Sequence, residues 1–305
     1  MLLSNMNSKS RYRGCLIGLA TGDAIGTTVE FCGRGSFEPV SDMVGGGPFG
    51  LEPGQWTDDT SMALCLAASL VEKNGFDPTD QMDRYIRWSD EGYMSSNGRC
   101  FDIGGTVSEA LRKYRSSGEP FAGSTDPMSA GNGCIMRLAP VAMYFGNDHA
   151  AATHWAVESS RTTHGAQECL DACWLFASIL VRALQGGDKE QLLGIVERDR
   201  TLAPAIAAIA NGSYKTKTET EITGSGYVVE SLEAALWSFY STSNFSDAIL
   251  AATNLGDDAD TTAAICGQVA GAYYGLEGIP SKWQDKLAMF NVVRELADEL
   301  FEGAK

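Results

Sequence analysis

GCLIGLATGDAIG, residues 14–26, sets glycine at every fourth position: Gly14, Gly18, Gly22 and Gly26. That spacing lines all four up on one face of a helix as a bare stripe. Each interior glycine costs a helix about 1 kcal/mol against alanine, so the stripe calls for close approach by another helix or a ligand. A second ladder, Gly267, Gly271 and Gly275, runs through NLGDDADTTAAICGQVAGAYYG, residues 254–275. Packing of one ladder on the other would bring the two ends of the chain together around one core. The expectation is therefore a single domain over residues 1–305, with 1–10 as a flexible N-terminal extension.

Outward from these ladders the periodicity stays helical. Apolar residues recur at three and four through 59–72, 106–114, 134–145, 167–185, 189–197, 227–240, 258–275 and 288–301, and no stretch alternates as a strand would. Thr106 with Glu109 reads as a capping box, and Pro127, Pro140, Pro204 and Pro280 fall at element edges. The fold class is all-α, a compact multi-helix globule. Turn-rich intervals at 32–56, 93–105, 121–133 and 211–226 are the candidate site loops.

Composition excludes several classes. The 305 residues carry 23 lysines and arginines against 39 aspartates and glutamates, a net charge of −16, which opposes nucleic-acid binding through phosphates. The eight cysteines show no C-x-x-C and no Cys/His ligand spacing, so zinc and disulfide frameworks are not expected. Several sit in apolar runs, which points to a reducing compartment and a cytoplasmic protein. Lys9, Arg11 and Arg13 before the first apolar run mimic a signal peptide, but glycines dilute that run and Asp23 ends it. It is also too short to span a membrane.

Two acidic runs stand apart from the solvated surface charge. QWTDDT, residues 55–60, and GDDADTT, residues 256–262, each place aspartates and threonines at the head of an apolar helix. Helix capping by Thr57 or Asp257 would need one acid per helix. Asp58 and Asp59 are adjacent, however, and Asp257, Asp258 and Asp260 crowd the other run, so their repulsion calls for a cation. Hard oxygen donors without histidine or thiolate suit Mg²⁺ or Mn²⁺, and two facing clusters suit a two-ion site. Capping alone and a single Ca²⁺ stay open at this point, although neither run matches an EF-hand loop.

The motifs GLATGDAIGTTVEF (18–31), QWTDDTSMAL (55–64), CFDIGGT (100–106), AGNGCIMRLAPVA (130–142), TTHG (162–165), GYVVESLEAAL (226–236) and GDDADTTAAICGQVAGAYYG (256–275) together resemble the ADP-ribosylglycohydrolase family. The similarity leans toward the bacterial dinitrogenase-reductase-activating glycohydrolases and ADP-ribosylarginine hydrolases. It implies an all-α domain with a central cleft holding two divalent cations, Mg²⁺ or Mn²⁺. Carried over by position, the metal ligands are Thr57, Asp58, Asp59, Asp258, Asp260 and Thr261. Asp257 departs from the family pattern, where glycine is common, and is read as a cap or outer acid.

The same resemblance implies catalytic roles for Glu30, Asp59 and Asp102, with Asp102 also pairing with a substrate guanidinium. Gly131, Asn132 and Gly133, read as a helix start, would cradle a diphosphate through backbone N–H groups. His164 and Tyr227 would complete the substrate site. Taken singly, Asp102 reads as a turn acid, Glu30 as a solvated helix end, His164 as a helix cap and Tyr227 as core.

The expected activity is hydrolysis of the N-glycosidic bond between ADP-ribose and arginine side chains, reversing mono-ADP-ribosylation. The expected partners are an ADP-ribosylated protein and a cognate ADP-ribosyltransferase or toxin, with no nucleic acid, no membrane and a monomeric state. Rival readings are hydrolysis of ADP-ribosylserine, O-acetyl-ADP-ribose or poly-ADP-ribose, and a binding or immunity protein that occludes a toxin. A Mg²⁺ phosphohydrolase is a further rival, for which Arg137 is the one basic candidate near the acids.

Overall fold

The computed structural model describes residues 8–194 and 200–304. Its helices are, in chain order, α1 (Ser8–Gly26), α2 (Asp58–Lys73), α3 (Pro78–Glu91), α4 (Gly105–Ser117), α5 (Ala139–Tyr144), α6 (His149–Arg161), α7 (Gln167–Leu184), α8 (Lys189–Leu193), α9 (Pro204–Ala210), α10 (Val228–Ser241), α11 (Phe245–Thr253), α12 (Ala259–Tyr274), α13 (Ser281–Gln284) and α14 (Phe290–Glu302). Among the described residues β-structure is confined to isolated bridges, so the fold is all-α. No helix among them is long and apolar enough to cross a membrane.

The two glycine ladders pack on each other, α1 antiparallel to α12. A Cβ on Gly14 would lie 2.2 Å from the Gly271 carbonyl oxygen, one on Gly18 2.3 Å from that of Gly267, and one on Gly22 2.1 Å from that of Ala263. The reverse holds too, with Gly271 at 1.9 Å from the Gly14 oxygen. Only glycine allows backbones this close, so the stripe serves packing. At the far end of the register a Cβ on Gly26 would meet the Ala259 oxygen at 2.4 Å. The C-terminal end of α1 is thereby held against the N-terminal end of α12.

Around this pair the amphipathic helices bury their apolar faces. Buried Gln268 on α12 ties in the turn before α5, donating to the carbonyls of Ile135 (3.1 Å) and Met136 (2.7 Å) and accepting from the Ala139 N–H (2.8 Å). Arg13 on α1 grips Asp298 on α14 through two bonds of 2.6 and 2.7 Å. All eight thiols are free, and six are buried.

Several sequence expectations need correction. Thr106 does not cap α4: the N-cap position is Gly104, which makes no side-chain cap. Residues 134–145 form a 3₁₀ turn ending at Cys134, then non-helical turns, and only then the short α5, whose second residue is Pro140. Residues 8–10, expected in a flexible extension, open α1, and Ser10 is buried; residues 1–7 lie outside the described residues. The helix predicted over 189–197 is present as α8, with 195–199 outside the described residues. Helices α3, α6, α9, α11 and α13 lie outside the predicted helical stretches. The buried face of α3 includes Gln81 and Arg84, which breaks its apolar pattern.

Candidate active site

The antiparallel register delivers the acids to one place. Asp23, one residue past Gly22 on α1, is fully buried. Its Oδ1 accepts from the Thr57 N–H and hydroxyl, both at 2.9 Å, and its Oδ2 from the Thr60 N–H (3.0 Å) and hydroxyl (2.6 Å). These N–H groups are orphan donors at the head of α2, so Asp23 caps α2 from a different helix. Thr57 occupies the N-cap position yet forms no cap with its own side chain. Asp257 is likewise no cap: it is left-handed (φ 56°) and precedes Asp258, the N-cap residue of α12. Capping therefore does not account for either acidic run.

The acids converge instead. Oxygens of Asp23, Asp59 and Asp260 lie within 4.8 Å of one another, and so do oxygens of Glu30, Asp102 and Asp260. Asp260 is common to both groups. The Thr57 hydroxyl lies 3.2 Å from both Asp59 Oδ2 and Asp260 Oδ2, and the Thr261 hydroxyl 3.4 Å from Asp59 Oδ2. Asp258 Oδ2 accepts from the Asn132 side-chain amide at 2.7 Å. Among the described residues no lysine or arginine forms an ion pair with any of these acids.

Burial and mutual repulsion dominate the electrostatics. Burial, then the charges of neighbouring carboxylates, raises Asp58, Asp59 and Asp260 well above the usual range. Glu30 is pushed up to about 9 by burial and by Asp102 and Asp258, and Asp102 up to about 7 by burial and by Asp23 and Asp258. Asp59 Oδ1 and Asp260 Oδ1 are buried without any hydrogen-bond partner. Orphaned buried carboxylate oxygens cost several kcal/mol unless a counter-charge meets them. Acidic oxygens joined by threonine hydroxyls form a donor set that fits a hard divalent cation.

Above this floor opens a cleft of about 760 Å³. Glu30, Asp58, Asp102, Asp258 and Thr261 line it together with Gly131, Asn132, Gly133 and His164. Thr57, Asp59 and Asp260 do not line it and are almost fully buried. Tyr227 is not brought into this cleft. It lines an adjoining cavity of about 610 Å³ and donates its hydroxyl to Glu168 at 2.6 Å.

Gly131, Asn132 and Gly133 do not begin an α-helix: Asn132–Cys134 is a single 3₁₀ turn. Two of the expected cradle donors are already used, Gly131 N–H on the Ser129 carbonyl (2.8 Å) and Asn132 N–H on that of Gly226 (3.1 Å). The loop is held against His164, since a Cβ on Gly133 would lie 2.8 Å from His164 Cε1. Burial lowers His164 to about 4, so its ring is neutral, with Nδ1 2.8 Å from the Thr163 hydroxyl. Its backbone, rather than its side chain, closes α6 through the Ser160 carbonyl (2.7 Å). Arg137 is fully buried, donating to the Gly133 carbonyl (2.9 Å) and the Thr163 hydroxyl (2.6 Å), and it does not line the cleft.

Two residues of the site went unread in the sequence. Asp23 passed as the end of an apolar run, although an aspartate inside a glycine-striped helix is itself a signal, because burying it requires dedicated partners. Phe31 passed as part of a motif, yet it lines the cleft with 68% of its surface exposed.

A helical scaffold whose cleft is floored by two carboxylate groups sharing one aspartate defines a class of all-α proteins with a cation-fit ligand cleft. The ADP-ribosylglycohydrolase family profile matches residues 4–305, and the chain belongs to that family. It is 48% identical over 296 residues to ADP-ribosylarginine hydrolase Tri1 of Pseudomonas putida (strain GB-1), covering 96% of this chain and 78% of the relative. It is 44% identical over 300 residues to ADP-ribosylarginine hydrolase Tri1 of Serratia proteamaculans (strain 568), covering 98% and 81%. A solved structure described as an ADP-ribosylglycohydrolase-related protein complex matches with a TM-score of 0.87 at 42% identity, covering 98% of this chain and 99% of the other.

Proposed function

We propose that the protein hydrolyses the N-glycosidic bond between ADP-ribose and a modified protein arginine, with two divalent cations, Mg²⁺ or Mn²⁺, held by Thr57, Asp58, Asp59, Asp258, Asp260 and Thr261. The observation that carries this reading is the pair of orphaned oxygens on Asp59 and Asp260, buried beneath a cleft that the other acids line. The relatives' names support arginine as the acceptor rather than serine or an acetyl group. When bound, the cations supply positive charge that offsets the carboxylates and polarises ribose hydroxyls or water.

The chain's own groups do the rest. In the net reaction water adds to the anomeric carbon, the carbon–nitrogen bond breaks, and the proton lost by water ends on the departing guanidine. Glu30, inclined by burial to hold a proton, relays it. Asp102 pairs with the guanidinium and holds it in line. The loop at Gly131–Gly133 and neutral His164 shape the wall against which the nucleotide lies. Asn132, bonded to Asp258, fixes the distance between that wall and the acids.

Among the described residues no lysine or arginine lines the cleft, which argues against a phosphohydrolase. An arginine-directed ADP-ribosyltransferase must supply the substrate, so the partners are modified proteins and, upstream, that transferase. Where the transferase is a toxin, hydrolysis confers immunity.

Mass spectrometry of matched arginine-linked and serine-linked ADP-ribosylated proteins, incubated with Mg²⁺ or Mn²⁺, tests the reading. Loss of ADP-ribose from arginine alone is expected. Cleavage of the serine linkage alone would move the assignment to the other acceptor.

A further inference from the structure

Phe31 follows Glu30 and lines the cleft, and its ring joins none of the aromatic pairs among the described residues. Its backbone is left-handed (φ 63°), uncommon for a bulky side chain. Asp257, from the loop before α12, is left-handed as well, and the two are clasped together: Phe31 N–H donates to the Asp257 carbonyl (2.7 Å) and Asp257 N–H to the Cys32 carbonyl (2.8 Å). Strain that a fold retains and locks in this way points to function. Here it holds a large aromatic ring out in the cleft instead of in the core.

Of the acids that share that cleft, Asp58 and Asp258 are assigned to the cations and Glu30 holds a proton, which leaves Asp102 and Asp257 as carboxylates beside the ring. An aromatic face among carboxylates matches a flat, delocalised cation, which stacks on the ring and bonds edge-on to the acids. The diphosphate is repelled by the same acids and the adenine carries no charge to meet them, so of the substrate's parts only the guanidinium fits.

We propose that Phe31 recognises the guanidinium of the modified arginine by stacking on it, and that this contact distinguishes arginine-linked from hydroxyl-linked ADP-ribose. The proposal rests on the arginine reading above.

The test compares wild type, Phe31→Leu and Phe31→Tyr, each checked for a cooperative melt and loaded with Mg²⁺. The substrates are an ADP-ribosylated protein and ADP-ribosyl-agmatine, and free ADP-ribose serves as a competitive inhibitor. Phe31→Leu should lower kcat/KM for ADP-ribosyl-agmatine about tenfold, the loss falling on KM. The inhibition constant of ADP-ribose should stay put, and Phe31→Tyr should restore KM. An unchanged KM would overturn the proposal. So would a parallel rise in the ADP-ribose inhibition constant, which would place the ring on the nucleotide. A KM rise confined to the protein substrate would also overturn it, since it would place the ring on the substrate's surface. Wild type that cleaves neither substrate would overturn the functional reading itself and this assignment with it, a result distinct from the other three.

Discussion

The two ends of α12 make the same kind of burial with opposite outcomes. Near its C-terminal end, Gln268 is fully buried and spends its amide on three bonds while Gly267 and Gly271 press against α1, so the amide is satisfied. Two turns earlier Asp260 is just as buried, is an acid crowded by other acids, and leaves Oδ1 without a partner. The Gln268 amide has completed its bonding within the chain. The Asp260 carboxyl is completed only by something the chain does not supply, and an unpartnered buried carboxyl oxygen marks a binding site better than burial or charge alone.

The largest effect should follow from emptying the unsatisfied end. Asp260→Ala removes the carboxylate common to both acid groups and should lower ADP-ribose release by about 10³-fold while leaving the helical fold intact by circular dichroism. A variant within tenfold of wild type would mean the two ends do not differ in role. Next comes the satisfied end. Gly271→Ala forces a Cβ to 1.9 Å from the Gly14 oxygen and should cost about 3 kcal/mol of stability, read from urea unfolding. A loss no greater than that of a surface Gly→Ala change would show that the ladders are not locked.

Between the two ends stands Asp23, which borders the acids but has all its bonds. Asp23→Asn keeps the shape yet puts an amide NH₂ against the N–H donors of α2. It should weaken Mn²⁺ binding about 10- to 100-fold, as loss of an outer support does, and calorimetric titration would measure it. The smallest effect sharpens the contrast. Burial and repulsion disfavour ionised Asp59, so Asp59→Asn in chelated protein should relieve charge and raise Tm by about 2–4 °C. A fall in Tm would show that Asp59 stabilises the fold without a cation.

The fold is legible in most helices with one apolar face. Helices α2, α4, α7, α10, α12 and α14 follow from spacing, and the α1–α12 contact from two glycine ladders, whereas α11 escapes although Phe245, Ala248, Ile249 and Ala252 are buried along it. Helix α3 is hidden because its buried face depends on partners outside it: Gln81 bonds the Ser159 and Thr162 hydroxyls, and Arg84 reaches Glu72 on α2. The site divides in the same way. Acids crowded within one run show their repulsion locally, so Asp58, Asp59, Asp258 and Asp260 could be read. Asp23 shows no such repulsion, only its place in a glycine-striped helix, because its four donors come from Thr57 and Thr60, more than thirty residues away. The loop at 130–132 misled for a related reason. Its N–H groups looked available, but residue 226 takes one of them, and Val228 N–H in turn donates to the Ala130 carbonyl.

Isothermal titration of chelated protein with Mn²⁺, run beside Asp260→Ala, tests the central claim most directly. Wild type should bind two ions per chain, and Asp260→Ala, which loses a carboxylate from both groups, should lose at least one. Equal stoichiometry and affinity in the two proteins, or no binding by wild type, would contradict the assignment of these buried acids to a cation site.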